Sequence, residues 1–260
     1  MTASMSRVTF LDRLDGECAE LLRDTDERGL RVRLLGGMAV RTLLGQRLHP
    51  SFRRSINDID VITTRKDARA LEELLAARGW APEASFNALN GARRLLFRDP
   101  RSSAQVDVFV GAFEMCHRLP LGDRMDEFGP TLPATELLTT KLQIVALNAK
   151  DRSDLYALLH ACDLADGDHR AIEPVVFGAM AAGNWGLFHT FELNLAHLRE
   201  AIGETELSES ERAVVAARIG RLVEALEQSP KTRAWKLRAR LGERKRWYDD
   251  PEEVDRSPGA

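Results

Sequence analysis

Cysteine is scarce in these 260 residues, and the three present, Cys18, Cys116 and Cys162, stand far apart. An odd, widely spaced set gives neither a disulfide framework nor the paired spacing of a zinc site, so buried reduced thiols are expected. Long apolar runs are missing too. No stretch approaches the roughly 20 residues that cross a bilayer, and the N-terminus has no signal-peptide apolar region. The expectation is a cytoplasmic protein with no membrane partner. A strong charge imbalance is also lacking: 37 Lys and Arg against 40 Asp and Glu leave a net charge of −3. That excludes a polycation that coats nucleic acid over its whole surface. Internal repeats and low-complexity tracts are absent. What remains, 44% apolar and 30% charged, is an ordinary globular composition. Its length allows one large core or two smaller ones.

The first half alternates short elements. Helical spacing of Phe10, Leu14, Cys18, Leu21 and Leu22 predicts a helix over 10–28, with Gly29 as its stop. Residues 32–35 read as a strand ending at Gly36-Gly37, and 38–44 as a helix closed by Gly45. The polar stretch 46–57, with Arg47, Arg53 and Arg54, reads as a loop. A strand over 58–63, an amphipathic helix over 66–78, and strands over 93–97 and 105–110 follow, the last two joined by a turn at Asp99-Pro100-Arg101-Ser102. Beyond the loop of Pro120, Gly122, Gly129 and Pro130 the pattern becomes helical. Segments 135–147, 151–164, 172–182, 187–202, 208–228 and 231–241 all have helical spacing, and Ser208-Glu209-Ser210-Glu211 has the form of a capping box. The fold expected is α+β, a small mixed sheet in 1–130 followed by helices in 131–248. The acidic tail 249–260 is expected to be disordered.

The chemistry sits in one short stretch, "NDIDVIT". Alternate side chains on a strand share a face, so Asp58 and Asp60 point together while Ile59 and Val61 point into the core. Asp107 repeats the theme in "AQVDVFV". If those strands are neighbours, three carboxylates meet on one face, an arrangement that needs cations and suits one or two Mg²⁺ (or Mn²⁺) ions. Taken singly, each aspartate is an ordinary strand-end residue; taken together they read as a metal site. Gly36-Gly37 follows a strand and opens a helix, where close backbone approach and free N–H groups suit a triphosphate.

Gly36-Gly37, a helix and loop, Asp58-Ile59-Asp60, and Asp107 on a later strand resemble the nucleotidyltransferase superfamily related to DNA polymerase beta. The resemblance implies a nucleotidyltransferase domain over 1–130, with Asp58, Asp60 and Asp107 as metal ligands. It also implies that Asp107 activates an acceptor hydroxyl and that an NTP is co-substrate. "LPATELLTTKLQIVALNAKDRSDLYALL" is similar to the segment after the catalytic domain of abortive-infection type toxin nucleotidyltransferases. That likeness implies Lys141 on the nucleotide phosphates, Asp151 or Asp154 shaping the site, and a partnership with a cognate antitoxin. With Gly36, Gly37, Arg53, Arg54 and Ser55, these residues make the expected nucleotide site. "FNALNGARRLLF", "VDVFVGAFEMCHRLPL" and "RWYDDPEEV" also resemble an uncharacterised bacterial family described only as nucleotidyltransferase-like. Two features depart from the common pattern: Gly-Gly stands where Gly-Ser is frequent, and a long loop separates Gly37 from Asp58.

Several residues keep two readings. Lys141 lies among Leu137, Leu138, Ile144 and Val145, where a lysine also simply reaches out to water. Asp151 doubles as a first-turn acid, and Asp154 as part of a solvated helix face. Cys116-His117 is no nucleophile pair if it lies on a strand, since neighbours there face opposite ways. His49 and His160 read as ordinary histidines, and Trp185, Trp235 and Trp247 as packing residues. The basic run from Lys231 to Arg246 suits an RNA backbone, or else pairs with the acidic tail. The acceptor stays open among an RNA or tRNA end, a small molecule of the aminoglycoside or lincosamide kind, and a protein hydroxyl. A non-catalytic nucleotide or RNA binder is the reading from a different class.

Overall fold

The computed structural model describes residues 2–119, 121, 124–125 and 129–250, with side chains from residue 10 onward. The tail expected to be disordered therefore lies almost wholly outside the described residues. In chain order the elements are α1 (Thr2–Glu27), β1 (Val32–Leu35), α2 (Gly36–Leu44), β2 (Asp58–Thr63), α3 (Ala68–Ala77), β3 (Ala81–Pro82), α4 (Ala84–Asn90), β4 (Arg94–Arg98), β5 (Gln105–Val110), β6 (Phe113–Glu114) and β7 (Arg118–Leu119). Then come α5 (Ala134–Leu142), α6 (Ala149–Ala161), α7 (Pro174–Ala181), α8 (Trp185–Ala201), α9 (Glu209–Gln228) and α10 (Arg233–Ala239). The fold is α+β, with a mixed sheet followed by helices.

The sheet runs β1-β2-β5-β4-β3. β2 and β5 pair in parallel, placing Asp60 directly beside Asp107 and Asp58 beside Gln105. β1 is antiparallel to β2 and sets Leu35 against Asp60. Alternation sends the intervening Ile59, Val61, Val106 and Val108 to the other face, where all four are fully buried. Burying such a residue contributes roughly 2 kcal/mol. A one-residue slip of β2 would put aspartates in this core, so hydrophobic alternation fixes the register that aligns the carboxylates.

The helices are attached along the free edge of β1. Leu34 donates its N–H to the Pro130 carbonyl (2.8 Å) and its own carbonyl accepts from Leu132 N–H (3.0 Å). The segment thereby clamped leads into α5, which is buried nearly all round. A helix so enclosed must satisfy its hydroxyls internally. Thr139 and Thr140 donate to the carbonyls of Glu136 and Leu137, and Thr135 Oγ1 accepts from Glu173 N–H. α2 packs against β2 on one side and against α5 and α6 on the other, so its N-terminus opens where sheet and helices meet.

Three departures from the sequence expectations have clear causes. α5 stops at Leu142 rather than 147 because Asn194 Nδ2 takes the carbonyls of Leu142 and Ile144 (2.7 and 2.8 Å). α6 then begins at 149, where Asn148 accepts from the N–H groups of Lys150 and Asp151. The unforeseen β3 and α4 carry no strong period of their own. Tertiary pairing makes them: Asn87 uses its side-chain amide as a substitute strand, bonding both the N–H and the carbonyl of Leu96 (2.7 and 3.1 Å). The expected capping box on α9 is realised in full.

Candidate active site

A cleft of about 400 Å³ opens at the N-terminus of α2, between the sheet and α5–α6, within the size range of small-ligand sites. Gly36, Gly37, Arg54, Asp58, Asp60, Asp107, Lys141 and Asp151 all border it. Arg53 and Asp154 border instead a small recess behind Gly37. Ser55 is exposed and borders neither; its carbonyl accepts from Arg54 Nη1 (3.1 Å).

The two glycines have separate jobs. Gly36 holds φ +67°, which side chains rarely adopt, and a Cβ there would overlap Asp60 Oδ2. Gly37 leaves room for the Arg54 guanidinium, whose Nη2 would meet a Cβ at that position. No side chain caps α2, so its first-turn N–H groups face the same space as the Asp60 carboxylate.

Asp60 is the electrostatic centre. Burial above all, then the Asp58 and Asp107 carboxylates, push its pKa well above the ordinary carboxylate range, while Lys141 and Arg94 pull it back. The three aspartates therefore share a face and repel one another, as the strand pattern implies. They are not equivalent, however. Arg94 on β4 stands diagonal to Asp107 across the β4–β5 pair and grips both its oxygens, Nε to Oδ1 at 2.8 Å and Nη2 to Oδ2. Both partners are buried. Among the described residues no three His, Cys, Asp or Glu side chains are grouped so as to hold a metal ion. Asp58 and Asp60, crowded and short of counter-charge, have the hard-oxygen chemistry of a divalent-cation site; Asp107 already has its cation.

A second network closes the helical side. Arg54 makes a two-pronged pair with Asp154 (2.9 and 2.7 Å), and Lys141 Nζ lies 3.1 Å from both Asp151 and Asp154. Burial lowers the pKa of Lys141, but Asp154, Asp151 and Asp60 outweigh it and leave the ammonium more firmly protonated than usual. Arg54 likewise loses to burial and gains more from Asp154. The reading of Lys141 as a residue that reaches out to water is thus corrected: its side chain is only 14% exposed and ion-paired. Asp154 is no solvated helix-face residue but a buried hub.

The cleft lining holds four cations, Arg54, Arg94, Lys141 and Lys150, and four carboxylates, Asp58, Asp60, Asp107 and Asp151. An apolar flank of Phe109, Phe113, Met115 and Ile144 completes it. Sequence reasoning missed Arg94. Its signal was the hairpin around Asp99-Pro100, which sets Arg94 opposite Phe109 and therefore on the Asp107 face.

The remaining candidates lie elsewhere. Cys116 and His117 sit in the connection of the β6–β7 hairpin rather than on a strand. Burial raises the Cys116 thiol, and His117 Nε2 is engaged with Thr190 Oγ1 (2.8 Å). His49 and His160 both turn Nε2 toward Glu211 Oε1 (3.8 and 3.2 Å). Trp185 and Trp247 pack edge to face, and Trp235 packs against Phe188. In the basic run, Arg238 donates to the carbonyls of Gly242 and Lys245 and lies over Trp185. Lys231 bonds the carbonyls of Leu226 and Ser229 at the end of α9, and Arg246 pairs with Asp250. Arg233, Lys236, Arg240, Arg244 and Lys245 are exposed.

No family model matches the sequence, and no curated protein matches it. Among solved structures the chain is similar to an antigenic nucleotidyltransferase-like protein from Paracoccidioides brasiliensis. The TM-score is 0.45 and the identity 14%, over 86% of this chain and 96% of that one. The likeness is loose, and the functional reading rests on the cleft itself. Among the described residues no helix is long and apolar enough to cross a membrane.

Proposed function

We propose that this protein is a divalent-cation-dependent nucleotidyltransferase, moving a nucleoside monophosphate from an NTP to an acceptor hydroxyl with release of pyrophosphate. The observation that carries this reading is the lodging of the Asp60 carboxylate against Gly36, beside Asp58, at an uncapped helix N-terminus. Backbone N–H groups that receive phosphate oxygens and carboxylates that attract a cation are thereby brought within one small space.

The charge balance supports a cation as co-substrate carrier. Four lining cations against four carboxylates leave no surplus to meet a triphosphate, so a divalent ion would supply the missing positive charge. Asp58 and Asp60 would hold Mg²⁺ or Mn²⁺, which supplies positive charge to the phosphoryl oxygens when bound. Lys141, fixed by Asp151 and Asp154 and close enough to Asp60 to act on its charge, presents a permanent ammonium at the same wall. The apolar flank of Phe109, Phe113, Met115 and Ile144 suits a base or an acceptor ring. An RNA end is the first acceptor to test, supported by the exposed cations of 231–246, with small molecules and protein hydroxyls as alternatives.

A nucleotide binder without transfer is the second reading. It is favoured by Arg54 and Lys141 already being paired with aspartates. One experiment separates the two. Each α-labelled NTP is incubated with the protein, Mg²⁺, total RNA and cell lysate. Label moving to an acceptor, and lost in a folded Asp60→Asn variant, is the expected result. Retention of nucleotide with no label transferred would leave the binder.

A further inference from the structure

We propose that the guanidinium of Arg94 takes the place of a second metal ion, so that the site binds a single divalent cation through Asp58 and Asp60. This rests on the nucleotidyltransferase reading and departs from a three-carboxylate, two-ion site.

The parallel register sets Asp107 directly beside Asp60, so an ion bridging the two would need an Asp107 lone pair. Arg94 occupies those positions. It approaches from the neighbouring strand with Nε on Oδ1 at 2.8 Å and Nη2 on Oδ2, the two-pronged geometry that a planar guanidinium makes with a carboxylate. The side chain lies against two aromatic rings. Its guanidinium carbon lies 5.0 Å from the Phe109 ring centre and 5.6 Å from that of Phe86. Arg94 is only 6% exposed and Asp107 8%. Swinging Arg94 aside for an ion would break this buried two-pronged charge pair, which is unfavourable.

The consequence is a division of labour. Guanidinium stays protonated at any working pH, so Arg94 contributes a fixed positive charge to the cleft lining where a bound ion would contribute an exchangeable one. Asp107 then acts as a positioning residue for Arg94 rather than as a ligand.

Counting Mn²⁺ by electron paramagnetic resonance, with no nucleotide present, tests the proposal without reference to activity. Wild type is expected to bind one ion per chain at the cleft. Asp60→Asn is expected to weaken it at least tenfold, and Asp107→Asn to change it less than twofold. The Asn amide oxygen still accepts from Arg94, which keeps the fold checkable by thermal melting. Arg94→Gln is expected to release Asp107 and admit a second ion; if that variant does not fold, the Asp107→Asn comparison decides. Two ions in wild type, or equal losses in Asp60→Asn and Asp107→Asn, would overturn the proposal while leaving the metal-dependent reading intact. No Mn²⁺ bound by any chain would overturn that reading, and this proposal with it.

Discussion

Asp60 Oδ2 lies where the side chain of residue 36 would begin, so the carboxylate and the glycine occupy one shared position at the start of α2. Gly36→Ala should therefore fail twice, through the strain of a positive φ and through displacement of the carboxylate. Gly45→Ala separates the two effects: φ there is +52°, and nothing stands within 4 Å of an added Cβ. It should cost about 1–3 kcal/mol through backbone strain alone. Urea unfolding of both variants, with Mn²⁺ affinity measured alongside, should show Gly36→Ala the less stable and the only one impaired in metal binding. Equal behaviour of the two would mean that Asp60 has other room to move.

Asp154 holds two cations, Arg54 and Lys141, whereas Asp151 holds Lys141 alone among the ion pairs of this network. Asp154→Ala should cost about 3 kcal/mol or more, since it leaves two partly buried cations short of charge. Asp151→Ala should cost distinctly less, because Lys141 keeps Asp154. Urea midpoints in the opposite order would show that Asp154 is not the hub.

His117 gives a pH dependence away from the cleft. Burial pulls its pKa down from 6.5 to about 4 against a weaker upward pull from Asp249, and the residue is 4% exposed. The unfolded chain takes up this proton near 6.5 and the folded chain only near 4. Between those values the unfolded state binds more protons, so stability falls as pH drops through the window and is fully present above it. The loss should approach roughly 3 kcal/mol, from about 1.4 kcal/mol per unit. Subtracting the pH–stability curve of His117→Gln from that of wild type isolates this contribution; a flat difference would disprove it.

The basic run divides into structural and exposed members. Lys236, Arg240, Arg244 and Lys245 are exposed, and replacing all four by Gln should lower the salt slope of RNA binding by about 3 if they track a single strand. Arg238→Gln should instead lower thermal stability with little change in slope, since its guanidinium bonds carbonyls and covers Trp185. RNA binding too weak to detect in wild type would remove RNA as the acceptor.

The strand alternation was enough to place Asp58 and Asp60 on one face and to turn Asp107 away from Val106 and Val108, because a period of two leaves a side chain no other choice once its neighbours are buried. The parallel pairing of β2 with β5 joined the three. Gly-Gly at a strand-to-helix junction marked the opening of α2 for a similar local reason, and the α9 capping box was written in four residues. Neither spacing nor composition could say that β5 lies between β2 and β4, and that order is what hands Asp107 to Arg94. Lys141 shows the same limit: local pattern allowed a lysine reaching for water, and the docking of α5 against α2 and α6 enclosed it between two aspartates of α6. The sequence determined which side chains share a face. Only the tertiary structure decided which charges neutralise one another, because ion pairs form between elements brought together by the burial of the apolar faces behind them.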